Sequence, residues 1–297
     1  MGGKLGIRRY EIRQLIGKPP EVQFLVDRLI PLSTPGVLSS VGGIGKSFMA
    51  LQLAMNIANG TGTFMGKSIL QSGNSVLFCA EDNREEVWRR IHALDPEGKR
   101  FDAPYDVFCV TIADLGKPMI LLSEDNINSQ AMEIVEELKG IPDLKFVCFD
   151  PIQSFVSASS PISNSNESAQ LWCQFCASIS AQLGCTTLSI HHMNKTALTG
   201  TESAMEARAS IRGASSIVDG MRFAMAMWLP DEKEVERICV ESGVPSEEQA
   251  SGCVRYAVAQ YSFSKIKQAV WRIYRLHLDR KDLNAGSKPP MSSNTGL

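Results

Sequence analysis

Between an apolar run at 37–40 and the helical pattern Phe48-Met49-Ala50-Leu51-Gln52-Leu53-Ala54 lies Ser40-Val41-Gly42-Gly43-Ile44-Gly45-Lys46-Ser47. Strand, glycine-rich turn, Gly-Lys-Ser and amphipathic helix in that order restrict the fold sharply. The glycines let the backbone turn its N–H groups inward at a helix N-terminus, which makes a cradle for phosphate. Lys46 then reaches the β- and γ-phosphates and the Ser47 hydroxyl ligates Mg²⁺. A glycine-rich turn alone is common, but the ordered set reads as a P-loop with Ser40 at its first glycine position. Val41, Gly42, Gly43, Ile44, Gly45, Lys46, Ser47 and Phe48 form the predicted nucleotide site.

Around this loop, short apolar runs at 37–40, 76–80, 106–110, 145–149, 186–191, 222–228 and 254–263 alternate with helical patterns at 46–59, 84–94, 127–139 and 168–183. Alternation of this kind predicts an α/β fold with a largely parallel, twisted sheet flanked by helices. A chain of 297 residues, 44% of them apolar, buries one substantial core without help from disulfides. Residues 1–35, punctuated by Pro19-Pro20, Pro31 and Pro35, read as an N-terminal extension that packs on the core or on a neighbouring subunit. The main domain is expected over 36–280. An acidic surface helix and turn are expected at 231–252, and a disordered tail over 281–297.

Three further strand ends carry candidate chemistry. The strand at 75–80 ends in Glu81-Asp82, which reads either as a general base followed by a helix cap or as an acidic N-cap pair for the helix at 84–94. Leu144-Lys145-Phe146-Val147-Cys148-Phe149 ends in Asp150, the form of a Walker B element whose aspartate holds Mg²⁺ against Ser47. Thr186-Thr187-Leu188-Ser189-Ile190 ends in His191-His192-Met193-Asn194-Lys195, where two of four histidines read as a metal pair, a core pair or a phosphate sensor.

Composition limits the partners. With 30 basic and 32 acidic residues the formal charge is −2, so any polyanion site is local. The eight cysteines, several inside strand-like runs, read as buried thiols of a reducing cytoplasm. Cys173 and Cys176 have C-x-x-C spacing, but no second pair or nearby histidine completes a zinc set, so they read as one buried helix face. No window approaches the ~18 continuous apolar residues of a membrane span, and the first ten residues lack the apolar segment of a signal peptide. A cytoplasmic protein is expected.

With these strand ends assembled, the chain resembles the RepA-type hexameric replicative helicases of plasmids and their phage and mobile-element relatives, which are RecA-like P-loop ATPases. The resemblance runs over residues 25–280. It rests on the P-loop, Ala80-Glu81-Asp82, Asp150, His191-His192-Met193-Asn194-Lys195, Ile211-Arg212-Gly213-Ala214-Ser215-Ser216-Ile217-Val218-Asp219 and Phe263-Ser264-Lys265. The resemblance implies a hexameric ring with ATP and Mg²⁺ at subunit interfaces. It implies that Glu81 activates water, Ser47 and Asp150 order the metal, and His192 senses the γ-phosphate. The trans-acting arginine finger falls at Arg222, with Arg212 second. Lys265-Ile266-Lys267 resembles the Lys-x-Arg pair of related DnaB-type rings. Lys267 there replaces an arginine, and a point-charge ammonium cannot bridge two phosphate oxygens as a planar guanidinium does.

The resemblance also implies that loops at 157–168 and 194–213 grip single-stranded DNA in the channel. The first holds no basic or aromatic residue and the second offers only Lys195, Arg208 and Arg212 as cations. A ring multiplies each cation, and backbone N–H groups also bind phosphate. Two functions are therefore expected to compete. One is an ATP-driven DNA translocase or replicative helicase. The other is an ATP-switched nucleic-acid-binding or assembly ATPase with little unwinding.

Overall fold

The computed structural model describes residues 6–123, 126–159, 161–162, 165–193, 214–228, 253–260 and 270–275. Its centre is an eight-stranded sheet. In chain order the strands are β1 (Pro35–Ser40), β2 (Asn74–Cys79), β3 (Val107–Thr111), β4 (Leu144–Asp150), β5 (Thr186–His192), β6 (Phe223–Trp228), β7 (Cys253–Gln260) and β8 (Val270–Arg275). Across the sheet they run β8-β7-β6-β1-β5-β4-β2-β3. The six strands from β6 to β3 are mutually parallel, while β7 and β8 pair antiparallel at the β6 edge.

Helices α1 (Lys46–Asn59), α2 (Arg84–Leu94), α3 (Ser129–Lys139), α4 (Asn166–Leu183) and α5 (Ala214–Gly220) cover the two faces. Side chains of a strand alternate between faces, so strands covered on both sides read as continuous apolar runs. Thus Leu38, Leu77, Phe146, Cys148, Leu188, Ile190, Phe223 and Met225 meet α1, through Met49, Ala50, Leu53, Ala54 and Ile57. Val37, Val76, Phe78, Val147, Phe149 and Ala224 turn the other way, onto α3, α4 and α5. On that second face Phe149 stacks on Phe78 at 5.2 Å and meets Trp172 of α4 edge-on, also at 5.2 Å. The Trp172 indole N–H donates to Ser189 Oγ of β5 at 2.8 Å, which satisfies the polar atom of an otherwise buried ring. Gly36 is required by packing: a Cβ there would collide with the Phe223 ring.

Helix starts follow side-chain caps. Asn83 accepts from the Glu86 N–H at 2.9 Å, Asn128 from Ala131 at 3.1 Å, and Ser165 from Ser168 at 3.1 Å. The cap of α2 is therefore Asn83, whereas the sequence alone points to Asp82. The stretch at 157–168 is correspondingly shorter as a loop, because α4 already begins at Asn166. The N-terminal extension divides in two. Residues 24–26 and 30–31 form an antiparallel pair whose Leu25, Val26 and Ile30 join the α1 face of the core, while the side chains of Ile7, Ile12, Leu15 and Ile16 are exposed. The loop at 194–213, the acidic segment 231–252 and the tail 281–297 lie outside the described residues.

Candidate nucleotide site

The parallel strands bring their carboxyl ends to one level. Register pairs Asp150 of β4 with Cys79 of β2, and His192 of β5 with Ser40 of β1. Each candidate residue found at a strand end in the sequence is therefore delivered to the same edge, where open α/β sheets bind ligands. A bond from the Ala80 N–H to the Asp150 carbonyl, 2.8 Å, extends the β2–β4 pairing to the threshold of Glu81.

At the end of β1 the chain enters the glycine turn. Gly43 has φ +79° and Gly45 φ +97°, left-handed conformations that a side chain would strain. Around Gly42 and Gly43 no atom lies within 4 Å of where a Cβ would stand, so the backbone is open to a ligand. Lys46 begins α1 and is 7% exposed. Its Nζ donates to the carbonyl oxygens of Val41 at 3.0 Å and Ser40 at 3.4 Å. Burial lowers the pKa of this ammonium, and the charges of Asp150 and Glu81 act against that shift. A buried cation held by neutral carbonyls, beside an open backbone cradle, is suited to the charge of a polyphosphate. The Phe48 ring turns away to lie under the Arg90 guanidinium, 5.5 Å from its centroid, which leaves only the Phe48 backbone for the cradle.

Asp150 is almost fully buried. Burial pushes its carboxyl up to about 6; the Ser47 hydroxyl hydrogen bond and Lys46 pull it down, and Asp82 and Glu81 push it further up. Serine hydroxyl, buried carboxylate and a neighbouring acid form an all-oxygen donor set of the kind Mg²⁺ takes. Glu81 is exposed, and its Oε1 lies 3.9 Å from His192 Nε2. Lys46, Ser47, Glu81, Asp150 and His192 thus surround one opening. Among the described residues no group of three His, Cys, Asp or Glu side chains forms a metal cluster, so the histidine pair is not a zinc site there.

Two contacts escaped the sequence reading. Asp82, free of capping, is held by Arg90 in a two-pronged pair at 2.5 and 2.7 Å, which clamps α2 to the strand end that carries Glu81. Gln153, in the 3₁₀ turn Ile152–Phe155 after β4, places its Nε2 2.8 Å from His191 Nδ1. An arginine on the inner face of a helix that starts with acids was a usable signal for the first. The second joins residues 38 positions apart and had none.

Arg222 is not brought to this opening. Its backbone N–H donates to the Pro35 carbonyl at 2.8 Å, at the amino end of β1, so the strand separates it from the P-loop of its own chain. Arg212 and Lys265 lie outside the described residues, as do Asn194 and Lys195.

A family model described as "AAA domain", AAA_25, matches residues 4–197. Among solved structures, the ATPase domain of a phage helicase superposes with a TM-score of 0.56 at 12% identity, covering 93% of this chain and 97% of that one. The RadB recombinase gives 0.47 at 11% identity, covering 82% and 87%. A KaiC-like protein from Pyrococcus horikoshii OT3 gives 0.46 at 14%, covering 86% and 94%. The phage helicase domain shares the RecA-like fold, a parallel sheet flanked by helices with the glycine loop at its carboxyl edge. Family model, fold and the convergence of strand ends on one opening agree: the chain belongs to the AAA domain family AAA_25 and is a P-loop ATPase of the RecA-like class.

Proposed function

We propose that the chain is an ATP-driven, ring-forming DNA translocase or replicative helicase of a plasmid, phage or mobile element, with its motor in residues 36–280. The observation that carries the ring is the position of Arg222. The six residues of β1, about 20 Å at strand rise, stand between Arg222 and the P-loop of the same chain. A finger role for Arg222 therefore requires a second copy. In a closed ring, hexameric by family resemblance, each P-loop receives the arginine of its neighbour, and hydrolysis alters that interface.

Within one subunit the backbone of 41–48 binds the phosphates and Lys46 neutralises their charge. Ser47 and Asp150 hold Mg²⁺, whose chemistry is to screen the phosphate charge against an incoming nucleophile. Glu81 takes the proton of the attacking water, and His192, 3.9 Å away, contacts the terminal phosphate and reports its presence. Arg212 and Lys265 are further candidates for cations donated across the interface. Single-stranded DNA occupies the channel, held by the loops after β4 and β5.

One feature favours the alternative, an ATP-switched assembly protein: the loop at 157–165 contains no cation. Phosphate release measured with and without single-stranded DNA separates the two. Translocation predicts stimulation by at least about tenfold, with a salt-dependent midpoint, because phosphate contacts release counterions. Slow turnover indifferent to DNA supports the switch and contradicts the helicase.

A further inference from the structure

We propose that Gln153 is a positioning residue for hydrolysis, acting through the His191 imidazole to hold the tip of β5 so that His192 faces Glu81. The inference rests on the reading of Glu81 and His192 as the hydrolytic centre. Its structural basis is a contact between two nitrogens, Gln153 Nε2 and His191 Nδ1, at 2.8 Å. An amide nitrogen only donates, so Nδ1 must present its lone pair and the proton of the neutral ring sits on Nε2. Gln153 thereby selects one tautomer of a fully buried histidine.

That ring is fixed at the right place to matter. His191 pairs with Ser39 of β1, and His192 with Ser40, the first residue of the P-loop. Strand alternation turns His191 toward the α4 side, as it does Ser189, which bonds Trp172, and turns His192 the other way. Holding His191 thus sets the direction of its neighbour, whose Nε2 lies 3.9 Å from Glu81 Oε1. Gln153 itself hangs from the turn that follows Asp150, anchored by the fully buried Ile152 and Phe155. The contact therefore ties the Asp150 strand end to the His192 strand end. A packing role suits Gln153 poorly: its Oε1 is buried and has no hydrogen-bond partner among the described residues, and the same holds for Ser39 Oγ beside the imidazole. An apolar side chain would leave no orphaned acceptor there.

The test uses the full chain with ¹⁵N-labelled histidine, of which there are four residues, and the variants Gln153→Leu and Gln153→Glu. In the wild type the His191 ring is expected as the Nε2–H tautomer. Gln153→Leu should mix the tautomers, and Gln153→Glu, whose carboxylate only accepts, should move the proton to Nδ1. Both variants should lower kcat by at least about tenfold while KM for ATP stays within about twofold, and Gln153→Leu should melt no lower than wild type. An Nδ1–H tautomer in the wild type overturns the proposal even if neither variant folds. So does a Leu variant with wild-type kcat, or one whose loss lies in KM or melting temperature alone. Glu81→Gln, assayed alongside, separates the two levels: full turnover there sinks the hydrolytic reading, whereas the tautomer stands or falls on its own spectrum.

Discussion

Asp150 shows how a single residue trades stability for a ligand. Burial lifts its carboxyl from 3.8 to about 6, so the folded chain retains a proton that the unfolded chain releases. Stability contributed by this group therefore falls as pH rises from the unfolded pKa through the folded one, by on the order of 3 kcal/mol, and stays lost above it. A divalent cation between Ser47 and Asp150 would offset that loss by supplying the missing positive charge. Asp150→Asn is accordingly expected to raise the melting temperature of the nucleotide-free protein at about pH 8, to raise it far less at about pH 5, and to abolish Mg²⁺-dependent nucleotide affinity. Calorimetric melting at the two pH values, with and without MgATP, checks all three; a variant less stable at pH 8 would contradict the assigned burial penalty.

At the scale of elements, the strand ends position the site and the helix caps fix where each helix leaves it. Asn83→Ala should lower stability by about 1 kcal/mol in denaturant titration and leave ATP affinity unchanged, since Asn83 caps α2 without facing the opening. An equal loss from Asp82→Ala with full turnover would show that the Arg90 clamp serves α2 and not Glu81. The strands were legible because each parallel strand is buried on both faces and reads as a short apolar run: Phe146-Val147-Cys148-Phe149 is fully buried, as its composition implies. Glu81, Asp150 and His192 were legible for the same reason, since parallel strands in register end level. The cap of α2 was misread because Asp82 and Asn83 are equally good caps in isolation, and Arg90, eight residues on, decides between them only in three dimensions. The Gln153–His191 contact depends on which strands are neighbours, and local pattern does not encode strand order. Strand β8 and its antiparallel pairing at the edge were missed for a related reason: both lie past the βαβ units whose alternation carried the reading.

For the whole molecule, the question is whether one chain suffices. Arg222 stands at the amino end of the sheet and Lys46 beyond the carboxyl end of β1. Arg222→Ala should therefore fold and bind nucleotide normally yet hydrolyse it slowly. Mixing it with Lys46→Ala protein should restore part of the activity, because some interfaces then pair an intact P-loop with an intact Arg222. Mixed assemblies, verified by sedimentation, that recover no turnover would place Arg222 outside the catalytic interface. The claim beneath all of this is that ATP is hydrolysed in the opening shared by Lys46, Asp150 and Glu81. Single-turnover hydrolysis of bound ATP by Glu81→Gln tests it most directly, since the amide keeps the shape of the side chain but cannot accept the proton of water. The account predicts wild-type nucleotide affinity and a rate reduced by at least about a hundredfold; a rate within about twofold of wild type would contradict it.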